Sequence, residues 1–212
     1  MSMPFDRDAY YESARAVGVF NAYHDGKEEL FCRRFAKFLK GKSPILELGG
    51  GTGFHAALIS RMIDGRYVHT DKSAAMSKAA RLRGIESRQM DGLAIEGIEP
   101  QAILAVGIST MVSEDVELRK RQFREMARVL PNGGVLVITT PAYRRLSGEM
   151  HCLDASDRNA LVDLGFTELA WFRCSIVPAG LWRRLPRQLC RMIEAAFAPF
   201  GFRRVLAVRK HR

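Results

Sequence analysis

Short apolar runs alternate along this chain with longer stretches in which apolar residues recur at helical spacing. Ile45–Leu48, Tyr67–Thr70, Ala102–Ile108 and Val135–Thr139 read as strands, and the apolar run Ala102–Ile108 has the look of a strand covered on both faces. Ser87–Met90 is a weaker strand, and Thr167–Ile176 and Arg203–Arg209 are the last two. Between them the pattern predicts helices. One runs from Asp25 to Leu39, opened by a capping box of Asp25 and Glu28, with Phe31, Phe35 and Phe38 on one side. Pro44 follows it. Others cover 54–63 and 73–83, the latter capped by Ser73. A helix opened by Ser113 carries Val116, Phe123, Met126 and Leu130 inward and ends at Pro131-Asn132-Gly133-Gly134. Another runs over 156–164, with Gly165 as its C-cap. Strands separated by helices of this length predict an α/β fold: a mostly parallel, doubly wound sheet with helices on both faces.

Length adds one constraint. The chain has 212 residues, which fits one domain, and no repeat or linker divides it. Hydrophobic residues make up 47% and charged residues 26%, a globular rather than disordered balance. No apolar run reaches the ~18 residues of a membrane span, and MSMPFDRDAY lacks the apolar stretch of a signal peptide. Cys32, Cys152, Cys174 and Cys190 lie far apart, which argues against a zinc site or disulfide scaffold and leads us to expect a reducing cytoplasm. Charge changes the picture more. The net value is +10, and from Arg173 to Arg212 ten Lys or Arg face one acid, Glu194. Such a segment attracts phosphate, anionic lipid or an acidic partner protein, or is simply a solvated face.

The chemistry points to Ile45–Ala56, ILELGGGTGFHA. A buried strand runs into a glycine loop and then at once into a helix, the arrangement in which backbone amides approach a ligand above the strand. A dinucleotide loop of the G-x-G-x-x-G kind would need a third glycine where Phe54 stands. Instead Gly49, Gly51 and Gly53 are spaced G-x-G-x-G, after the acidic Glu47. This spacing resembles the first motif of class I S-adenosylmethionine-dependent methyltransferases. Asp71 ends the next strand eighteen residues after Gly53, Asp91 follows the third in RQMDGL, and REMARVLPNGGVLVITTP resembles the family's E-x-x-R-V-L-x-P-G-G turn, with Asn132 as a departure. MHCLDASDRNALVDLGFTEL, with its Gly165-Phe166, resembles the helix and strand that follow. The likeness covers about residues 40–175.

The resemblance implies a Rossmann-like, seven-stranded sheet with an antiparallel C-terminal strand pair, and S-adenosyl-L-methionine as cofactor. It implies cofactor contacts at Glu47, Gly49, Gly51, Gly53, Asp71, Lys72, Asp91, Gly92 and Gly107, with Asp71 on the ribose hydroxyls and Asp91 near the adenine; Glu125 and Arg128 are expected to be structural. Residues 1–42 would form a helical cap, 43–141 the cofactor core and 142–212 a substrate-side part. VGISTMVSED would line the transfer site, with Ile108 and Ser109 toward the substrate; Ser109 and Thr110 either bond it or end the strand. The N/D-P-P-Y/F motif of base-modifying relatives is missing, as is the magnesium-binding aspartate of catechol-type enzymes, so metal-independent transfer to a small molecule is expected. His151 is the candidate base, from a polar loop after the fifth strand; His55 would face away from the substrate. Tyr11 is a candidate substrate contact from a lid. An RNA or protein methyltransferase recruited by the basic segment, or a non-catalytic cofactor-binding partner, are the alternatives. Where the last two strands would ordinarily be joined briefly, residues 177–202 intervene. Pro186 opens a helix there with Leu189, Met192, Ile193 and Phe197 on its apolar face. That insertion fits an interfacial helix, a lid, a dimer contact, a dock for an acidic carrier protein, or ordinary packing on the sheet edge.

Overall fold

A computed structural model of the chain describes residues 25–142, 150–177, 179–182 and 184–211. Its elements run α1 (Asp25–Ala36), β1 (Ile45–Leu48), α2 (Phe54–Ile59), β2 (Tyr67–Asp71), α3 (Ala74–Leu82), β3 (Ser87–Gln89), β4 (Ala102–Val106), α4 (Val116–Val129), β5 (Val135–Pro141), α5 (Ala155–Asp163), β6 (Phe166–Cys174), α6 (Ala179–Trp182), α7 (Arg187–Ala196), a 3-10 turn (Ala198–Phe200) and β7 (Arg203–Lys210). The strands form one sheet in the order β3-β2-β1-β4-β5-β7-β6. Pairs from β3 to β5 are parallel, while β7 lies antiparallel to both β5 and β6. The doubly wound α/β sheet with its antiparallel end is the expected one.

Strand alternation splits the apolar runs between two cores. Leu46, Ile103, Ala105, Leu136 and Ile138 face Phe123 and Met126 of α4 and Leu161 of α5. Ile45, Leu104, Val135 and Val137 face Phe31, Phe35 and Cys32 of α1 and Ile59 of α2. Two buried sides explain why these strands carry no polar stripe. After β3 the chain returns to place β4 beside β1, so the direction of winding reverses between them. The crevice above the carboxyl ends of strands at such a reversal is where open α/β sheets bind ligands.

Several helix starts differ from the sequence reading. Glu28 takes no part in a capping box: it is 1% exposed and grips Arg203 and His55, while the Asp25 side chain lies outside the described residues. The helix expected from Ser113 is capped by Asp115, whose side chain accepts the Leu118 N–H, and Val116 is therefore 47% exposed rather than inward. The helix expected from Ser156 begins one residue earlier, under Asp154, in a capping box with Asp157. At Asp115 and Asp154 a carboxylate with a free approach to the first-turn amides outcompetes the nearby hydroxyl.

Candidate functional site

The glycine loop after β1 is stitched to β2 by backbone bonds and by a carboxylate. Gly50 N–H donates to Thr70 O, the Thr70 hydroxyl donates to Glu47 O, and Gly51 N–H donates to Asp71 Oδ2 at 2.9 Å. The other oxygen of Asp71 accepts the Ser73 N–H at 2.8 Å, where α3 begins. Asp71 is thus held at both oxygens by main-chain donors, and its orientation is set before any ligand arrives. Gly53 has φ 73° and caps α2; a Cβ there would stand 2.8 Å from Ala80 Cβ, so α2 and α3 approach only because the side chain is missing.

Above the ends of β1, β2 and β4 opens a cavity of about 720 Å³, within the range of small-molecule sites. It is lined by Gly49, Asp71, Lys72, Asp91, Gly92, Gly107, Ile108 and Ser109 from the residues expected there. Gly107 has φ 60° with open space where its Cβ would be, a cradle that a side chain would fill. Lys72 Nζ donates to Asp91 Oδ2 at 2.9 Å, and Leu93 N–H donates to Oδ1 at 3.0 Å. The Lys72 hydrogen bond and that of Leu93 hold the Asp91 carboxyl below its ordinary range.

Three expected contacts lie elsewhere. Glu47 does not line the cavity. Alternation along β1 sends Leu48 toward the cavity and Glu47 to the opposite face, where it is fully buried beside the buried Tyr67 hydroxyl. Burial pushes its carboxyl up to about 8, with the Asp71 charge acting in the same sense. Gly51 and Gly53 shape the loop without lining the cavity. His151 is not in a polar loop: it is 3% exposed, its Nε2 lies 2.6 Å from Asp157 Oδ2, and Asp157 Oδ1 accepts from Arg119 Nε. His151, Asp154 and Asp157 place ligand atoms within 4.8 Å of one another. Arg119 supplies the positive charge beside Asp157 that a cation would otherwise bring. The His151 main-chain N–H donates to Val112 O, so it braces the 108–113 wall from behind. Tyr11 lies outside the described residues. His55 points away from the cavity, 2.9 Å from Glu28, and Glu125 and Arg128 clamp Ile95 N–H and Ile95 O as structural residues.

Sequence reasoning missed Gln122 and Gly50. Gln122 is fully buried on α4 and lines the cavity; its Oε1 accepts from the Thr110 hydroxyl at 3.0 Å and its Nε2 donates to Gly92 O at 2.6 Å. One side chain thereby ties the 91–93 turn to the wall after β4. Its signal was present, since spacing from Phe123 and Met126 puts a polar residue on the inward face. Gly50 has no room for a side chain, because a Cβ would lie 2.6 Å from both Glu47 Oε2 and His69 Nε2.

Residues 46–138 match the family model of a methyltransferase domain. No curated protein matches the chain. Among solved structures, magnesium protoporphyrin IX methyltransferase (ChlM) from Synechocystis PCC 6803 with bound SAM superposes at TM-score 0.68 with 13% identity, covering 99% of this chain and 100% of the other. The N-methyltransferase NodS from Bradyrhizobium japonicum WM9 gives 0.63 with 16% identity, covering 87% of this chain and 94% of its own. A putative methyltransferase complex with the Trm112 activator from Haloferax volcanii gives 0.68 at 15% identity, covering 100% of both chains.

Proposed function

We propose that this chain is a class I S-adenosylmethionine-dependent methyltransferase and that it methylates a small organic molecule held against the wall after β4. The observation that carries this reading is the cavity at the sheet's reversal point, where two oriented carboxylates and the open main chain at Gly107 face one space. These residues fit the cofactor: Asp71 would take the ribose hydroxyls, Asp91 with Lys72 the adenine side, and the main chain at Gly49 and Gly107 the remainder. When bound, the cofactor supplies an activated methyl group, so the protein's share of the work is orientation and the exclusion of water.

The residues of this chain do that work in a fixed frame. Ile108 gives the substrate side an apolar floor, and Ser109 and Thr110 give it hydroxyls. Gln122 holds Thr110 from behind, and His151 holds Val112. We assign His151 to positioning this wall, since its ring is buried against Asp157. ChlM is named for methylation of magnesium protoporphyrin IX, which supports a small-molecule acceptor for a fold of the same extent.

The test is transfer of labelled methyl from the cofactor into a cell extract separated into small-molecule, RNA and protein fractions. Label in the small-molecule fraction is expected. Label confined to RNA or protein overturns the substrate class, and cofactor binding without transfer to any fraction overturns the enzymatic reading.

A further inference from the structure

The connection between β6 and β7 grows from the same edge of the sheet as the cavity. Cys174 pairs with Arg203, and Arg203 pairs with Pro141 at the carboxyl end of β5, so the connection leaves and rejoins the sheet at that edge. The connection is folded and pinned. Glu194 is 3% exposed, and its two oxygens accept the N–H groups of Ser175 at 3.0 Å and Val177 at 2.9 Å. Cys190, Trp182 and Val177 form a small core of their own, against Leu30 of α1.

With Cys190, Ile193 and Glu194 turned inward, α7 must expose its remaining faces. Leu189 and Met192 lie three residues apart on one flank, 42% and 67% exposed. Phe197 and Phe200 continue this apolar surface past the helix end, at 51% and 63%. Arg187 and Arg191 stand one turn apart on the other flank, and Arg184 precedes the helix; all three are exposed. The one acid of this connection, Glu194, is buried in the pinning bonds, so the outer surface between 184 and 200 carries arginines and no carboxylate. Large exposed apolar side chains beside unopposed arginines are the surface chemistry of helices that lie in the lipid headgroup region. No helix among the described residues is long and apolar enough to cross a membrane, so contact of this kind would be peripheral.

We propose that residues 184–200 form a peripheral docking face for an anionic phospholipid membrane. Leu189, Met192, Phe197 and Phe200 enter the boundary between headgroups and acyl chains, and Arg184, Arg187 and Arg191 engage lipid phosphates. An acidic protein would need carboxylates placed to match three arginines on two elements. A phospholipid surface supplies phosphates at any spacing, together with an apolar layer for Met192 and Phe200. The proposal rests on surface chemistry and does not depend on methyl transfer.

The experiment is co-sedimentation of the full chain with vesicles of phosphatidylglycerol mixed into phosphatidylcholine, and with phosphatidylcholine alone. Binding is expected only with phosphatidylglycerol, and raised salt weakens it. Arg187→Gln with Arg191→Gln lowers the partition coefficient about 25-fold, from about five-fold per arginine near an anionic surface. Met192→Glu abolishes binding, and Met192→Gln, a milder change at the same exposed position, weakens it; an unchanged melting temperature confirms folding. No binding to either vesicle, equal binding to both, or binding that these variants leave unaltered overturns the proposal. So does self-association that Met192→Glu removes in the absence of vesicle binding, which assigns the face to a second copy, or equal binding to soluble polyglutamate, which assigns it to an acidic protein.

Discussion

Replacing Asp71 by Asn tests the site at its most constrained point. The carboxylate accepts Gly51 N–H through one oxygen and Ser73 N–H through the other, at 2.9 and 2.8 Å. An amide of the same shape keeps one acceptor and turns an NH₂ toward the second backbone donor. Hydrogen bonds to charged groups contribute about 1.5–3 kcal/mol, so the substitution is expected to cost about 2 kcal/mol of stability. A ligand that gives up one comparable bond to this carboxylate loses about 10- to 150-fold in affinity. Denaturant unfolding reads the first quantity, and calorimetry with S-adenosylhomocysteine reads the second. Lys72→Ala is the control: Lys72 is 74% exposed, so loss of its ion pair with Asp91 costs at most about 1 kcal/mol, under ten-fold in affinity. An Asp71→Asn protein that binds within three-fold of the parent, or a Lys72→Ala protein that loses as much, refutes the assignment of Asp71 to the ligand.

Two buried acids make opposite predictions with pH. Burial raises the Glu28 carboxyl, but the His55 hydrogen bond and Arg203 outweigh it and bring it to about 2, from 4.5. Folded Glu28 stays charged where the unfolded chain takes up a proton, so its contribution is complete above about 4.5 and is lost as pH falls toward 2. Unfolding free energies of Glu28→Gln from urea titrations should lack that acid-side slope and lie roughly 3–5 kcal/mol lower at neutral pH, since Arg203 loses a bidentate partner; an unchanged slope counts against it. Glu47, raised to about 8, behaves in reverse: the unfolded chain ionises first, so stability falls as pH rises from 4.5 to about 8. Glu47→Gln should remove a loss on the order of 5 kcal/mol and be the more stable protein in alkaline buffer; parity between the two at high pH refutes the raised, buried carboxyl.

Much of the fold was legible because its signals are local. Period-two and period-3.6 patterns act within a few residues, and G-x-G-x-G ending at Gly53 followed by Asp71 at a strand end describes one strand–loop–helix–strand unit. The helix starts were less so, because Asp115 and Asp154 compete with hydroxyls one or two residues away, and only the backbone geometry decides. Glu28 had a sound local reading as a capping residue, which a partner 175 positions away displaced.

By itself, the sequence determined the order of strands and helices, the glycine loop and the two carboxylates that flank it, since each depends on neighbours along the chain. Only the tertiary structure decided that Glu47 turns its back on the cavity, that His151 is bound to Asp157 behind the wall, and that Gln122 ties Gly92 to Thr110. It also decided that the connection after β6 buries its one acid and leaves Arg184, Arg187 and Arg191 outside. The physical reason is common to all four. A buried polar group must find a hydrogen-bond partner or bear the cost of lacking one, and which partner it meets is set by packing between remote segments.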